Sequence, residues 1–279
     1  MARHAALNLR PGGVPEFRRS LRRAAPGLSR DLPWIGDERA WAVLVSEVML
    51  QQTSTARVLE PWARFMELFP TPAACASAPL STVLVAWSGL GYPRRAKSLR
   101  EAAKLIESGF GGRVPGNVED LLSLPGVGAY TAHAVASFAF GQRVAVLDTN
   151  VGRVLARALA NAPLTRREAQ ELADHLMPPR DSASFNQALL DLGAQFCRAA
   201  PRCAICPVRS RCRWRAEGGV DPAPRSAAVS RRQPAFAGSD RQMRGRVLRL
   251  LVEGPRSPTR LGRELGASGE RVRTILNGL

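Results

Sequence analysis

No stretch of about 18 consecutive apolar residues occurs in the 279 residues, so the sequence offers no helix able to cross a membrane. Met1–Pro15 also lacks the apolar run of a secretory signal, which makes a cytoplasmic location the expectation. Lysine is almost missing: Lys97 and Lys104 stand among 40 basic residues, and the other 38 are arginine. That shortage leaves few candidates for chemistry needing an amine nucleophile. Acidic residues are also few, 23 in all, and the formal net charge is +17. A surface this basic attracts polyanions, nucleic acid foremost. An arginine-rich coding bias accounts for the same numbers, so charge alone does not decide. The three histidines (His4, His133, His175) are scattered and form no ligand set, and no β-alternation of useful length appears.

Helical periodicity is what the sequence does have. Apolar residues recur at three- and four-residue spacing over 40–52, 56–69, 80–88, 96–108, 118–123, 129–140, 151–159, 166–176 and 185–196. Pro61 and Pro93 read as helix starts, and Gly89, Gly109 and Gly141 as ends. With 45% hydrophobic residues to fill a core, the expectation is an all-α protein with short connections. From 216 to 240 the pattern gives way to Gly, Pro, Ser, Ala and Arg, which reads as a linker. Beyond it, 241–252, 259–265 and 269–276 have helix-turn-helix-like spacing, suited to a DNA-binding module or to a small packing appendage.

Four of the five cysteines, Cys197, Cys203, Cys206 and Cys212, fall within sixteen residues. Thiolates so clustered suggest metal ligation, and four soft sulfurs suit either zinc or a [4Fe–4S] cluster. Cys75 lies alone in apolar surroundings and reads as buried. Leu124-Pro-Gly-Val-Gly128 separates two helical patterns; Gly126 and Gly128 would let backbone N–H groups approach a phosphate, or simply make a helix–helix turn. Glu47 sits inside the apolar run Trp41–Leu50, where a carboxyl tends to hold its proton, as a general acid must. Asp148 follows the apolar Val144–Leu147 and reads either as a helix cap or as the second of two carboxylates flanking a glycosidic bond.

Taken in order, Ser46-Glu-Val-Met-Leu-Gln-Gln-Thr53, Gly89-Leu-Gly-Tyr92, Leu124-Pro-Gly-Val-Gly-Ala-Tyr-Thr131, Val146-Leu-Asp-Thr-Asn-Val151 and Leu190-Asp-Leu-Gly193 resemble the MutY adenine DNA glycosylases over roughly 200 residues, Phe17–Arg215. The first string is specific to that branch. The hairpin and cysteines are shared with endonuclease III relatives and thymine mismatch glycosylases. The resemblance implies a two-lobed helix-hairpin-helix DNA glycosylase: a six-helix domain over 36–145 and a cluster lobe from 1–35 and 146–215, followed by the linker 216–240 and the tail 241–279 that the residue pattern itself marks. It also selects [4Fe–4S] over zinc at Cys197, Cys203, Cys206 and Cys212.

By the same resemblance the partner is double-stranded DNA carrying a mismatch or an oxidised guanine, bound by a monomer with the target nucleotide turned out of the stack. Glu47 would protonate adenine N7, Asp148 would steady the sugar cation with Asn150 in support, and Tyr130 would assist nearby. Gln52 and Tyr92 match residues that wedge beside the opposite base, Leu50 and Thr53 match its contacts, and Trp34 matches an aromatic near the adenine pocket. Tyr130 holds the place where lyase members carry a Schiff-base lysine, so base removal with little strand cleavage is expected.

The chain departs from the family in three places. Five residues separate Cys197 from Cys203 where six are usual, and Pro201 with a tightened loop is the feature expected to absorb the difference. Ile35 follows Trp34 where arginine is common. The tail is too short for the NUDIX-like domain that reads 8-oxoguanine, as in short-tailed actinobacterial relatives. Thymine or uracil removal opposite guanine and non-catalytic lesion binding are the competing readings, and the Ser46–Thr53 string favours adenine.

Overall fold

The computed structural model describes residues 13–37, 39–226, 229 and 237–277; His4 and residues 227–228 and 230–236 of the expected linker lie outside the described residues. Among the described residues there is no strand, and the fold is all-α. The helices are α1 (Gly13–Ala24), α2 (Ala40–Leu50), α3 (Thr55–Leu68), α4 (Pro72–Ser77) and α5 (Leu80–Ala86). They continue with α6 (Pro93–Gly109), α7 (Val118–Ser123), α8 (Ala129–Phe140), α9 (Thr149–Val154) and α10 (Arg166–Leu176). Last come α11 (Ser182–Gln195), α12 (Arg213–Glu217), α13 (Asp240–Glu253), α14 (Pro258–Leu265) and α15 (Gly269–Asn277). No helix is long and apolar enough to cross a membrane among the described residues.

The chain divides into two compact units. The first takes Met1–Glu38, Gly116–Val118 and Gly128–Arg232; the second takes Arg39–Pro115, Glu119–Val127 and Gln233–Leu279. In the first unit, α1 buries Val14, Phe17 and Leu21 on one face. Arg18 on that helix donates to the carbonyls of His175 and Leu176 at the end of α10, satisfying acceptors a helix C-terminus leaves over. A capping box, Thr165 with Glu168, starts α10. A π-helical turn, Leu155–Ala160, prolongs α9. Part of the stretch whose composition reads as a linker is packed here: Ala223 and Ser226 are buried, and the Ser226 hydroxyl accepts from the Leu164 N–H at 3.1 Å.

In the second unit, α2 is buried from Trp41 to Met49, and apart from Ser46 and Glu47 that stretch is apolar all round, as a wholly buried helix must be. Pro61 lies inside α3 rather than at its start. Its ring suits helical φ, and the helix forgoes one hydrogen bond there. Helices α13–α15 build a small core of their own from Met243, Val247, Leu261, Leu265, Val272 and Ile275.

Candidate active site

Helix α2 carries Glu47 into the apolar interior of the second unit, where the residue keeps 5% of its surface exposed. Its neighbour Ser46 is buried too and returns its hydroxyl to the Val43 carbonyl, the usual way a hydroxyl is accommodated inside a helix. The chain leaves α2 through Leu50 and Thr53, both half-buried, and exposed Gln52, whose φ of +57° is left-handed. Tyr92, just before Pro93 opens α6, is also left-handed, at φ +49°. Two non-glycine residues in so sparsely populated a region mark backbone that its surroundings hold in place.

What holds it is Arg95. Its guanidinium donates to the carbonyls of Val48, Met49 and Gln51 at 2.7–2.9 Å, and to the Thr53 hydroxyl at 3.0 Å. It also reaches the Leu90 and Gly91 carbonyls and lies over the rings of Trp87 and Tyr92, 5.4 and 5.2 Å from their centroids. One side chain therefore caps α2 and ties the Leu50–Thr53 turn to the Gly89–Tyr92 turn. Burial lowers its pKa to about 10, which leaves it charged at neutral pH. Sequence reasoning missed Arg95, because one arginine among 38 carries no signal of its own.

The hairpin glycines differ in kind. Gly126 needs its φ of +82°, and a Cβ there would sit 2.7 Å from Ser98 Cβ. Gly128 has an ordinary φ of −97° and open space where a Cβ would go, so nothing in the chain itself requires glycine. Gly128 caps α8 without a side-chain hydrogen bond.

The first unit holds the other carboxylate. Asp148 is the N-cap of α9, accepting from the Val151 N–H at 2.7 Å, so the capping role is real. Its second oxygen accepts from Asn150 Nδ2 at 2.6 Å. Asn150 Oδ1 accepts from Arg153, which also donates to the carbonyls of Gly193 and Cys197. Burial pushes the Asp148 carboxyl above its ordinary pKa, against the pull of Val151, Asn150 and Arg153. Gly193 packs directly on this turn: a Cβ there would lie 2.7 Å from both the Asn150 Cβ and carbonyl oxygen. Tyr130, in the first turn of α8, is half-buried against the apolar core of this unit, and Trp34 is buried in the same unit.

All four clustered cysteines line one small apolar cavity, together with Val154, Leu192 and Phe196. Among the described residues no three His, Cys, Asp or Glu side chains are grouped as a single metal ion needs. Four thiols around a common cavity are a soft-sulfur donor set, which suits zinc or an iron–sulfur cluster alike. Burial raises the Cys206 thiol to about 11 and moves Cys197 and Cys212 the same way. Arg157, on the π-helical turn and almost wholly buried, reaches the loop that follows Cys197. It donates to the carbonyls of Cys197, Arg198 and Ala199 and to Cys197 Sγ at 3.5 Å, while Asp221 accepts from it with both oxygens. One guanidinium thus gathers three successive carbonyls and holds the backbone bend that follows Cys197.

Residues 45–179 match the HhH-GPD superfamily of base excision DNA repair proteins. An adenine DNA glycosylase of Mycolicibacterium smegmatis is 48% identical over 236 residues, covering 83% of this chain and 78% of that protein. The chain belongs to the adenine DNA glycosylase family. A human adenine DNA glycosylase is 43% identical across 72% of this chain but only 40% of its own length. Among solved structures, a thermostable thymine-DNA glycosylase superposes with TM-score 0.68 at 28% identity, over 74% of this chain and 97% of that one. An endonuclease III–DNA complex superposes with TM-score 0.64 at 24% identity, over 73% and 97%, which speaks to the fold alone. The protein is a DNA N-glycosylase of base-excision repair, and it binds DNA.

Proposed function

We propose that this glycosylase removes adenine mispaired with 8-oxoguanine or guanine, leaving an abasic site. The observation that carries the reading is Glu47: an ionisable side chain on an otherwise apolar, buried helix that ends in the Leu50–Thr53 turn. Burial without function is costly for a carboxyl, so its presence there calls for chemistry.

The reaction then runs as follows. Glu47 gives its proton to N7 of the extruded adenine. The bond from C1′ to N9 breaks, and its electron pair leaves with the base, which the N7 proton neutralises. Ionised Asp148, oriented by Asn150 and the Val151 N–H, steadies the sugar cation, and Tyr130 lends a hydrogen bond beside it. Water adds to C1′ and returns a proton to the Glu47 carboxylate. Trp34 borders the adenine, Gln52 and Tyr92 wedge beside the opposite base, and Leu50 and Thr53 touch it. The open Cβ space at Gly128 and the uncapped start of α8 suit a DNA phosphate, with Gly126 shaping the turn.

Cys197, Cys203, Cys206 and Cys212 hold a [4Fe–4S] cluster in this reading. When bound it supplies iron–thiolate bonds that fix the 197–212 loop, and the hydrolysis draws on none of its redox chemistry. Neither Lys97 nor Lys104 lies near Glu47, Tyr130 or Asp148 in sequence, and Tyr130 has no amine to form a Schiff base, so strand cleavage is weak. The chain acts as a monomer.

Single-turnover excision on A:8-oxoG, A:G, T:G and U:G duplexes tests the assignment. A:8-oxoG is processed fastest. Faster T:G than A:G processing overturns the adenine reading in favour of thymine removal, and efficient borohydride trapping on DNA overturns the monofunctional one.

A further inference from the structure

Helix α13 is two-faced. Met243 and Val247 turn into the core of the tail. Arg241, Arg244, Leu248 and Val252, spaced at three and four residues, line a cleft of about 680 Å³ instead, with Arg249 beside them. The opposite wall of that cleft is Gln52, Arg57 and the Gly89–Tyr92 turn, all within the second unit. The two walls touch: Arg241 Nη1 lies 3.4 Å from the Tyr92 hydroxyl. Among the described residues, four arginines line the cleft against one carboxylate, Glu253. Arg241, Arg244 and Arg249 thus share one cleft with Gln52 and Tyr92, the two left-handed residues of the neighbouring loops. Bringing so many guanidinium groups together costs repulsion, which a polyanion relieves.

We propose that α13 is a phosphate clamp: Arg241, Arg244 and Arg249, with Arg57, hold the phosphodiester backbone of the DNA strand that lies against Gln52 and Tyr92. This rests on the reading of those loops as DNA-contacting. The clamp gives the short helical tail a place in substrate binding. It acts on backbone and not on base edges, so it adds affinity without sequence or lesion preference.

The test is equilibrium binding of the full-length protein to an A:8-oxoG duplex and to a matched duplex between 50 and 200 mM salt. Replacing Arg241, Arg244 and Arg249 together by alanine weakens binding to both duplexes, and the slope of log affinity against log salt falls by roughly 2–3, about 0.9 per lost phosphate contact. The matching triple lysine variant keeps the slope. Arg249 is exposed, so Arg249→Glu alone guards against misfolding, and it too weakens binding, most at low salt. Unchanged affinity and slope in the triple alanine variant overturn the clamp, as does a loss confined to the 8-oxoguanine duplex. A protein that excises no adenine, yet whose duplex binding still falls with these substitutions, overturns the substrate reading and leaves the clamp standing.

Discussion

Gly193 offers the sharpest link between packing and chemistry. It lies in the last turn of α11, facing the Asp148–Asn150 turn, and alanine there would put a methyl 2.7 Å from the Asn150 Cβ and oxygen and 2.8 Å from its carbonyl carbon. Carbon contacts are comfortable at about 3.5–4.0 Å, so the two segments must separate by roughly 1 Å. Overpacking of that kind costs about 1–3 kcal/mol. The displaced residue is the one whose amide sits 2.6 Å from the Asp148 carboxylate, and a misplacement of about 1 Å near reacting groups can slow a reaction about 10²-fold. Gly193→Ala therefore lowers both stability and the single-turnover excision rate, although residue 193 touches no substrate. Denaturant unfolding reads the first and excision under enzyme excess reads the second. In combination with Asn150→Ala the rate losses do not add, because both act on Asp148. Unchanged rate and stability in Gly193→Ala would show that residue 193 does not set the position of Asn150.

Three further outcomes follow from the geometry. The fold raises the pKa of Asp148 by burial, so the folded protein holds that proton more tightly than the unfolded chain; stability gained from it is present at low pH and lost as pH rises through the folded value. Asp148→Asn, which keeps a good N-cap, is therefore more stable than the parent at pH 7, with the gap closing toward pH 4, and is inactive; unfolding curves at both pH values check this. Arg95→Ala strands several carbonyls and frees both left-handed turns, costing on the order of 3 kcal/mol and weakening DNA binding, and Arg95→Lys rescues little because one ammonium cannot reach so many acceptors; melting and anisotropy read the two effects. Arg157→Gln loosens the 197–203 bend and lowers iron affinity about 10–100-fold, measured as iron per chain and as absorbance near 400 nm.

The regular helices were legible because their apolar spacing is long and repeated: 118–123, 129–140 and 166–176 fall where periodicity places them. Helix α1 escaped notice because five of its twelve residues are charged and only Val14, Phe17 and Leu21 turn inward. Helix α4 is six residues long, shorter than a periodicity window, and rests on the Thr71 cap and Pro72. At the site, Glu47 and Asp148 stood out as charges beside or within apolar runs. The same cue was present for Arg153 and Arg157 in Val151–Ala160, but the abundance of arginine elsewhere masked it. Arg95 had no local cue, since its acceptors come from segments up to 47 residues away. The packing of 213–226 rests on single anchors such as Asp221 and Ser226, which no periodicity reveals.

In the proposed reaction a proton passes from Glu47 to N7 of the purine. A duplex carrying 7-deazaadenine opposite 8-oxoguanine keeps the base's shape and pairing edge but has carbon in place of N7. That duplex binds as the adenine duplex does and is excised at least about 10²-fold more slowly, and Glu47→Gln slows excision of normal adenine comparably. Excision of the 7-deaza base at near the adenine rate would contradict that proton transfer.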